Sequence, residues 1–227
     1  MVSENFNGKT PGGFRAKHAV LLILGILLLD QALKIYIKTH FTYGEERLVL
    51  GSWLRLHFIE NEGMAWGLKF KIDAGKLFLT LFRLVAVIWG TFFILKLIRK
   101  KYPAKLLTCC CLIYAGAAGN LIDSMFYGVI FDKGAMFNAN GTDLNNYEGL
   151  AQFTTHGYTS FMNGNVVDMI YCPLFSGHFP SWMPFVGGDY FEFFNLIFNL
   201  ADAAICIGLA GLLLLRKRKP EVIEDLP

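Results

Sequence analysis

Long apolar runs separated by short polar stretches divide the chain, and four of them extend roughly from His18 to Tyr36, Leu77 to Ile98, Lys105 to Phe131 and Tyr190 to Leu215. Each is long enough for a helix to cross a hydrocarbon core, which takes about 20 residues. Between the first two, in the segment from about Lys38 to Lys76, Leu54, Leu56 and Phe58 alternate with Arg55, His57 and Ile59. That period of two predicts a strand with one apolar face, resting at the membrane surface as part of a small sheet. The connection from about Asp132 to Asp189 is rich in Asn, Gly and aromatics, and Pro173, Pro180 and Pro184 interrupt it. A loop of such length is usually functional or internally structured.

Composition agrees with lipid as the solvent: 54% of residues are hydrophobic, 15% aromatic and 17% charged, and the mean hydropathy is +0.43. The net charge of +3 is small. Basic residues gather beside the apolar runs, which marks topology and excludes a nucleic-acid surface. Arg15 and Lys17 precede the first run, Lys96, Arg99, Lys100, Lys101 and Lys105 surround the turn between the second and third, and Arg216, Lys217, Arg218 and Lys219 follow the fourth. Both termini are therefore expected in the cytoplasm, with segments 38–76 and 132–189 outside. Lys133 is the only Lys or Arg of the second outer segment. Cys109, Cys110, Cys111 and Cys206 lie in apolar runs and Cys172 in a polar connection, so neither a disulfide framework nor a metal site is expected. The first run lacks a small-residue cleavage motif and is expected to be a retained span. The expectation is one membrane domain over residues 1–227.

Ionisable groups inside a span cost at least about 2.5–3.5 kcal/mol each at mid-bilayer, so each asks for a partner or a purpose. Asp30, Lys34, Arg83, Asp123 and Asp202 are the groups away from the outermost turns. Asp30 and Lys34 are four apart and share a face, as an ion pair requires. Arg83 is expected to snorkel to the headgroups from the outer end of its helix. Asn120 and Asp123 sit three apart on the third run, after small residues that permit close helix contact. Asn199 and Asp202 repeat the spacing on the fourth, so each helix presents an amide and a carboxylate on one face. Those faces serve either as an interhelical clamp or as a site. Asp168 ends an apolar stretch of the second outer segment. Two carboxylates held close in a low-dielectric site cannot both ionise, and such a pair can act as general base and general acid on a water and an amide.

In order along the chain, Asp30-Gln31-Ala32-Leu33-Lys34, Asn61-Glu62-Gly63-Met64-Ala65-Trp66-Gly67, Gly119-Asn120-Leu121-Ile122-Asp123, Val166-Val167-Asp168 and Phe198-Asn199-Leu200-Ala201-Asp202 resemble the motifs of the bacterial lipoprotein signal peptidases, or signal peptidase II. The resemblance implies an all-α membrane fold of four transmembrane helices with a small extracytoplasmic β-cradle, here carrying a long second extracytoplasmic insertion. It implies a dyad of Asp168 and Asp202 near the outer face of the bacterial inner membrane. Asp123, Asn120, Asn199, Asn61, Asp30, Lys34, Gly63 and Ala201 would shape the site or hold substrate. Asp123 is the rival to Asp168, being the better placed from sequence to face Asp202.

The implied activity is removal of the signal peptide from a diacylglyceryl-modified prolipoprotein by cleavage before the lipidated cysteine. No metal or organic cofactor is needed, the chain is expected to work as a monomer in membrane lipid, and cyclic peptide antibiotics are the implied inhibitors. Two features depart from the family's pattern. Ser124 follows Asp123 where the family usually has Arg, so an ion pair expected there is absent or supplied by another residue. The connections on either side of Asp168 are also longer than usual. A transporter would also keep Asp and Asn within its helices, but the spans show no inverted repeat or paired broken helices. A structural assembly factor would use Asn120 and Asn199 as clamps alone.

Overall fold

Among the described residues of the computed structural model, three helical stretches are long and apolar enough to cross a membrane: Ala16–His40, Gly75–Arg99 and Ala104–Ile130. The structure describes residues 14–51, 53–62, 75–137, 143–145, 147–173 and 175–217. Gly63 and the rest of its motif through Gly67 lie outside the described residues.

Helix α1 is Ala16–His40 and α2 is Gly75–Arg99. The third stretch comprises α3 (Ala104–Ile122), a π-helical turn at Asp123–Tyr127 and the single turn α4 (Gly128–Ile130). The α2 helix is exposed along much of its length, through Phe78, Phe82, Val85, Ile88, Trp89 and Phe92. Such an apolar outer face suits lipid contact. Lys96 and Arg99 in its last turn face the negative end of its dipole. The α3 helix is central and packs on α5 (Leu200–Lys217), α1 and α2. Its small residues permit this: a Cβ built on Gly116 would lie 2.2 Å from the Ala201 carbonyl oxygen, and one on Gly119 would lie 2.7 Å from Oδ2 of Asp30. Only glycine lets both approaches occur.

Strands β1 (Glu46–Leu50), β2 (Leu54–Asn61), β5 (Val166–Tyr171) and β8 (Ile197–Phe198) form an antiparallel sheet in the order β1-β2-β5-β8. The alternation in β2 holds, since Phe58 is fully buried, but its inward face continues to Glu60, which is buried as well. Phe58, Val167 and Met169 pack with Ile37, Phe41, Tyr127 and Phe131, so the sheet rests on the ends of α1 and α4. In β5 the period of two is lost because Val166, Val167, Asp168 and Met169 are all buried. Chain covers both of its faces.

The second insertion is internally structured. It contains the short strands β3 (Met136–Phe137) and β4 (Asp143–Asn145), and after β5 the hairpin of β6 (Phe175–His178) and β7 (Tyr190–Phe193). Its first part is pinned by a buried charge cluster. Lys38 pairs with Glu60, and Glu60 also accepts from Tyr147 Oη at 2.9 Å, the Ala135 amide at 2.9 Å and Asn165 Nδ2 at 2.8 Å. The rings of Phe131, Tyr147 and Tyr158 stand 5.2, 5.5 and 5.2 Å from the Lys38 ammonium. A buried charge needs both an opposite charge and full hydrogen bonding, and here it has both.

Two expectations change. Strands stand beside the helices, so the all-α description does not hold. The run from Tyr190 to Leu215 is not one helix: its first part is β7 and β8, and α5 begins only at Leu200. The aromatic, apolar residues at 190–198 suit a strand edge as well as a span, and periodicity does not separate the two. The α5 helix is 18 residues long and includes Asp202, Arg216 and Lys217.

Candidate active site

Asn199 immediately precedes α5 and caps it. Its Oδ1 accepts the Asp202 amide at 2.9 Å, and Asp202 Oδ2 accepts the Asn199 amide at 3.3 Å, a reciprocal capping box. The expected face of amide and carboxylate on a helix is therefore a helix N-terminus, where the dipole favours negative charge. A second carboxylate caps the same end, because Asp30 Oδ1 accepts the Ala201 amide at 2.9 Å.

The capping side chain also spans to the sheet. Asn199 Nδ2 donates to Asp168 Oδ1 at 2.7 Å and to Asn120 Oδ1 at 3.1 Å. Asn120 Nδ2 in turn donates to Asp202 Oδ1 at 2.8 Å. Asp168, opposite Ile59 of β2, also accepts from Asn61 Nδ2 at 3.3 Å. Asp168 and Asp202 thus sit on either side of one asparagine. Asp168 is 2% exposed and Asp202 is half-buried. Burial first, and the charge of Asp202 second, push the Asp168 carboxyl up to about 7.

Asp123 has different company. Lys34 Nζ lies 2.8 Å from Asp123 Oδ2 and 2.9 Å from Asp30 Oδ2, and donates to Asn120 Oδ1 at 2.9 Å, which engages its three N–H groups. Asp123 Oδ1 accepts from Gln31 Nε2 at 2.8 Å, and Oδ2 accepts the Val167 amide at 3.3 Å. Those bonds tie α1 to the π turn and the π turn to β5. A π turn shifts side chains relative to an uninterrupted helix, and here it carries Asp123 and Ser124.

Asp30, Lys34, Asn61, Asn120, Asp123, Asp168, Asn199, Ala201 and Asp202 are thereby brought together. Sequence reasoning missed two further residues. Gln31 bridges Tyr127 Oη, at 3.1 Å, to Asp123, and its polarity inside an apolar run was the available signal. Arg83 does not snorkel: its Nη1 donates to Ser124 Oγ at 3.0 Å, so a guanidinium from α2 reaches the residue beside Asp123.

Comparison with known proteins agrees with this architecture. A family model described as signal peptidase (SPase) II matches residues 22–216. A lipoprotein signal peptidase of Porphyromonas gingivalis is 40% identical over 224 residues, covering 97% of this chain and 91% of its own length. One from Amoebophilus asiaticus is 36% identical over 196 residues, covering 85% and 74%. A solved bacterial membrane enzyme, determined in meso at 2.3 Å resolution, superposes with a TM-score of 0.58 at 20% identity, over 95% of this chain and 98% of that one. A second, at 1.9 Å, gives 0.57 at 21% identity, over 91% and 97%. At those identities the likeness is one of fold.

Proposed function

The chain belongs to the signal peptidase II family, a family of peptidases that act on lipoprotein precursors, and from that premise we propose an intramembrane aspartyl endopeptidase with Asp168 and Asp202 as its dyad. It cleaves a diacylglyceryl-modified prolipoprotein just before the lipidated cysteine and releases the signal peptide. The observation that carries the reading is the single asparagine shared by the two carboxylates, Asn199, which bonds Asp168 through Nδ2 and Asp202 through its backbone and Oδ1.

Asp168, buried and pushed up to about 7, is assigned the role of general acid, and Asp202 that of general base. Asp202 takes a proton from water as the water oxygen attacks the scissile carbonyl carbon, while Asp168 gives its proton to the carbonyl oxygen. The tetrahedral diol then collapses. Its hydroxyl proton returns to Asp168, Asp202 protonates the leaving nitrogen, the C–N bond breaks and one proton remains on the dyad. Asn61 and Asn199, both already donating to Asp168, are the amides available to the developing oxyanion. Asp30, Lys34, Asp123 and Asn120 hold α1, α3 and the π turn in register around the pair.

The substrate is positioned by its own two apolar parts. The diacylglyceryl group anchors in lipid and the signal helix lies against the spans, so the scissile amide arrives at the interface already oriented. We place the enzyme in the inner membrane with both termini cytoplasmic, α5 as the fourth span and the site near the outer face. It works as a monomer and is inhibited by cyclic peptides that set a hydroxyl between the carboxylates. Purified protein in detergent, given a synthetic diacylglyceryl lipopeptide, should yield one cut, directly before the modified cysteine, as read by mass spectrometry. An intact lipopeptide, or cleavage elsewhere, ends this reading.

A further inference from the structure

On the dyad reading above, we propose that Arg83 is a positioning residue for hydrolysis: its guanidinium, anchored on Ser124, supplies the positive charge that keeps one dyad carboxylate ionised. Arg83 is the only charged residue of α2 between Lys76 and Lys96. Eight residues into a helix with an apolar outer surface, it sits about 12 Å along the axis, where the energetically easy course is to extend towards headgroups. Instead it turns inward. Ser124 Oγ accepts from it at 3.0 Å and donates its own proton to the Asn120 carbonyl at 3.0 Å, so the hydroxyl is oriented and the guanidinium is held.

Charge balance makes the cation consequential. Among the described residues, the titratable groups facing the site are Asp30 and Lys34 from α1, Asp123 and Tyr127 from the π turn, Tyr158 from the second outer segment, Asp168 from β5, Asp202 from α5 and Arg83 from α2; Glu60 of β2 is engaged with Lys38. Lys34 directs its donors to Asp30, Asp123 and Asn120, none of them a dyad member. Lys34 still acts on Asp168 through its charge, whereas Arg83 is linked towards Asp202: Ser124, which accepts from Arg83, donates to the Asn120 carbonyl, and Asn120 Nδ2 donates to Asp202 Oδ1 at 2.8 Å. An arginine cannot release its proton in this range, so the bias is constant with pH. Two carboxylates beside each other repel when both are charged. A fixed cation favours the singly ionised state that a base and an acid together require.

The test is the pH dependence of kcat and KM for the purified full chain on a diacylglyceryl lipopeptide, comparing the parent with Arg83→Gln, Arg83→Lys and Ser124→Ala. Arg83→Gln keeps a donor for Ser124 and loses the charge. The acid limb of its kcat profile should move to higher pH by roughly one unit, with KM little changed. Arg83→Lys should leave the limb where the parent has it. Ser124→Ala, which frees the guanidinium, should move the limb in the same direction by less, and it decides the matter should Arg83→Gln not fold. An unmoved limb in Arg83→Gln, or an equal shift in Arg83→Gln and Arg83→Lys, overturns the proposal. Failure of the dyad itself has a different signature, namely cleavage that survives Asp168→Asn or Asp202→Asn.

Discussion

Asp168 and Asp202 share Asn199, yet their surroundings differ in a way that thermodynamics can report. Asp168 is enclosed in β5, its carboxyl pushed up to about 7 by burial and by Asp202, whereas an unfolded chain would release that proton near pH 4. Below about pH 4 both states are protonated, and the group contributes nothing to the pH dependence. Between about 4 and 7 the folded chain holds a proton that the unfolded chain has lost, so stability falls as pH rises, and above 7 the full penalty is present. Asp168→Asn removes that slope. The variant is expected to gain roughly 2–4 kcal/mol on the parent between pH 4 and pH 8, whatever constant offset the new amide brings. Thermal unfolding in detergent at the two pH values measures this, and a difference independent of pH would show that Asp168 has no raised carboxyl.

At the scale of elements, the site exists because α3 is thin where α5 and α1 cross it. Gly119 leaves room for the Asp30 carboxylate, which caps α5 through the Ala201 amide. Gly119→Ala is expected to push Asp30 off that cap and to lower stability by about 1–3 kcal/mol as an overpacked contact, with activity falling alongside. Unfolding of the variant in detergent, beside its turnover of lipopeptide, tests the prediction; unchanged stability and turnover would mean the contact is not needed. The pairing of Asp30 with Lys34 and the meeting of the Asn120 and Asn199 faces were legible in the sequence, because spacings of three and four on a helix leave few alternatives. The capping role of Asn199 and Asp202 was obscured by the aromatic run before them, which reads as helix and folds as β7 and β8.

For the whole molecule, the spans α1, α2 and α3 declared themselves through composition, since lipid contact demands apolar residues almost without regard to tertiary partners. Their bounds moved by only a few residues at each end. Long-range partners had no such local signature. The inward turn of Arg83, the bridge through Gln31 and the Lys38–Glu60 cluster depend on which helix or strand arrives from elsewhere in the chain. For the same reason the burial of Asp168 on both sides of β5 could not be read from Val166 and Val167 alone, while the motif order carried the resemblance to the family without any knowledge of contacts.

The decisive measurement is the rate of lipidated-precursor cleavage by folded Asp123→Asn, Asp168→Asn and Asp202→Asn. A dyad of Asp168 and Asp202 predicts that each of those two substitutions lowers the rate at least about a hundredfold, while Asp123→Asn, which disturbs Lys34 and Gln31, retains measurable turnover. Near-normal cleavage by Asp168→Asn together with none by Asp123→Asn would contradict it and give the site to Asp123 and Asp202.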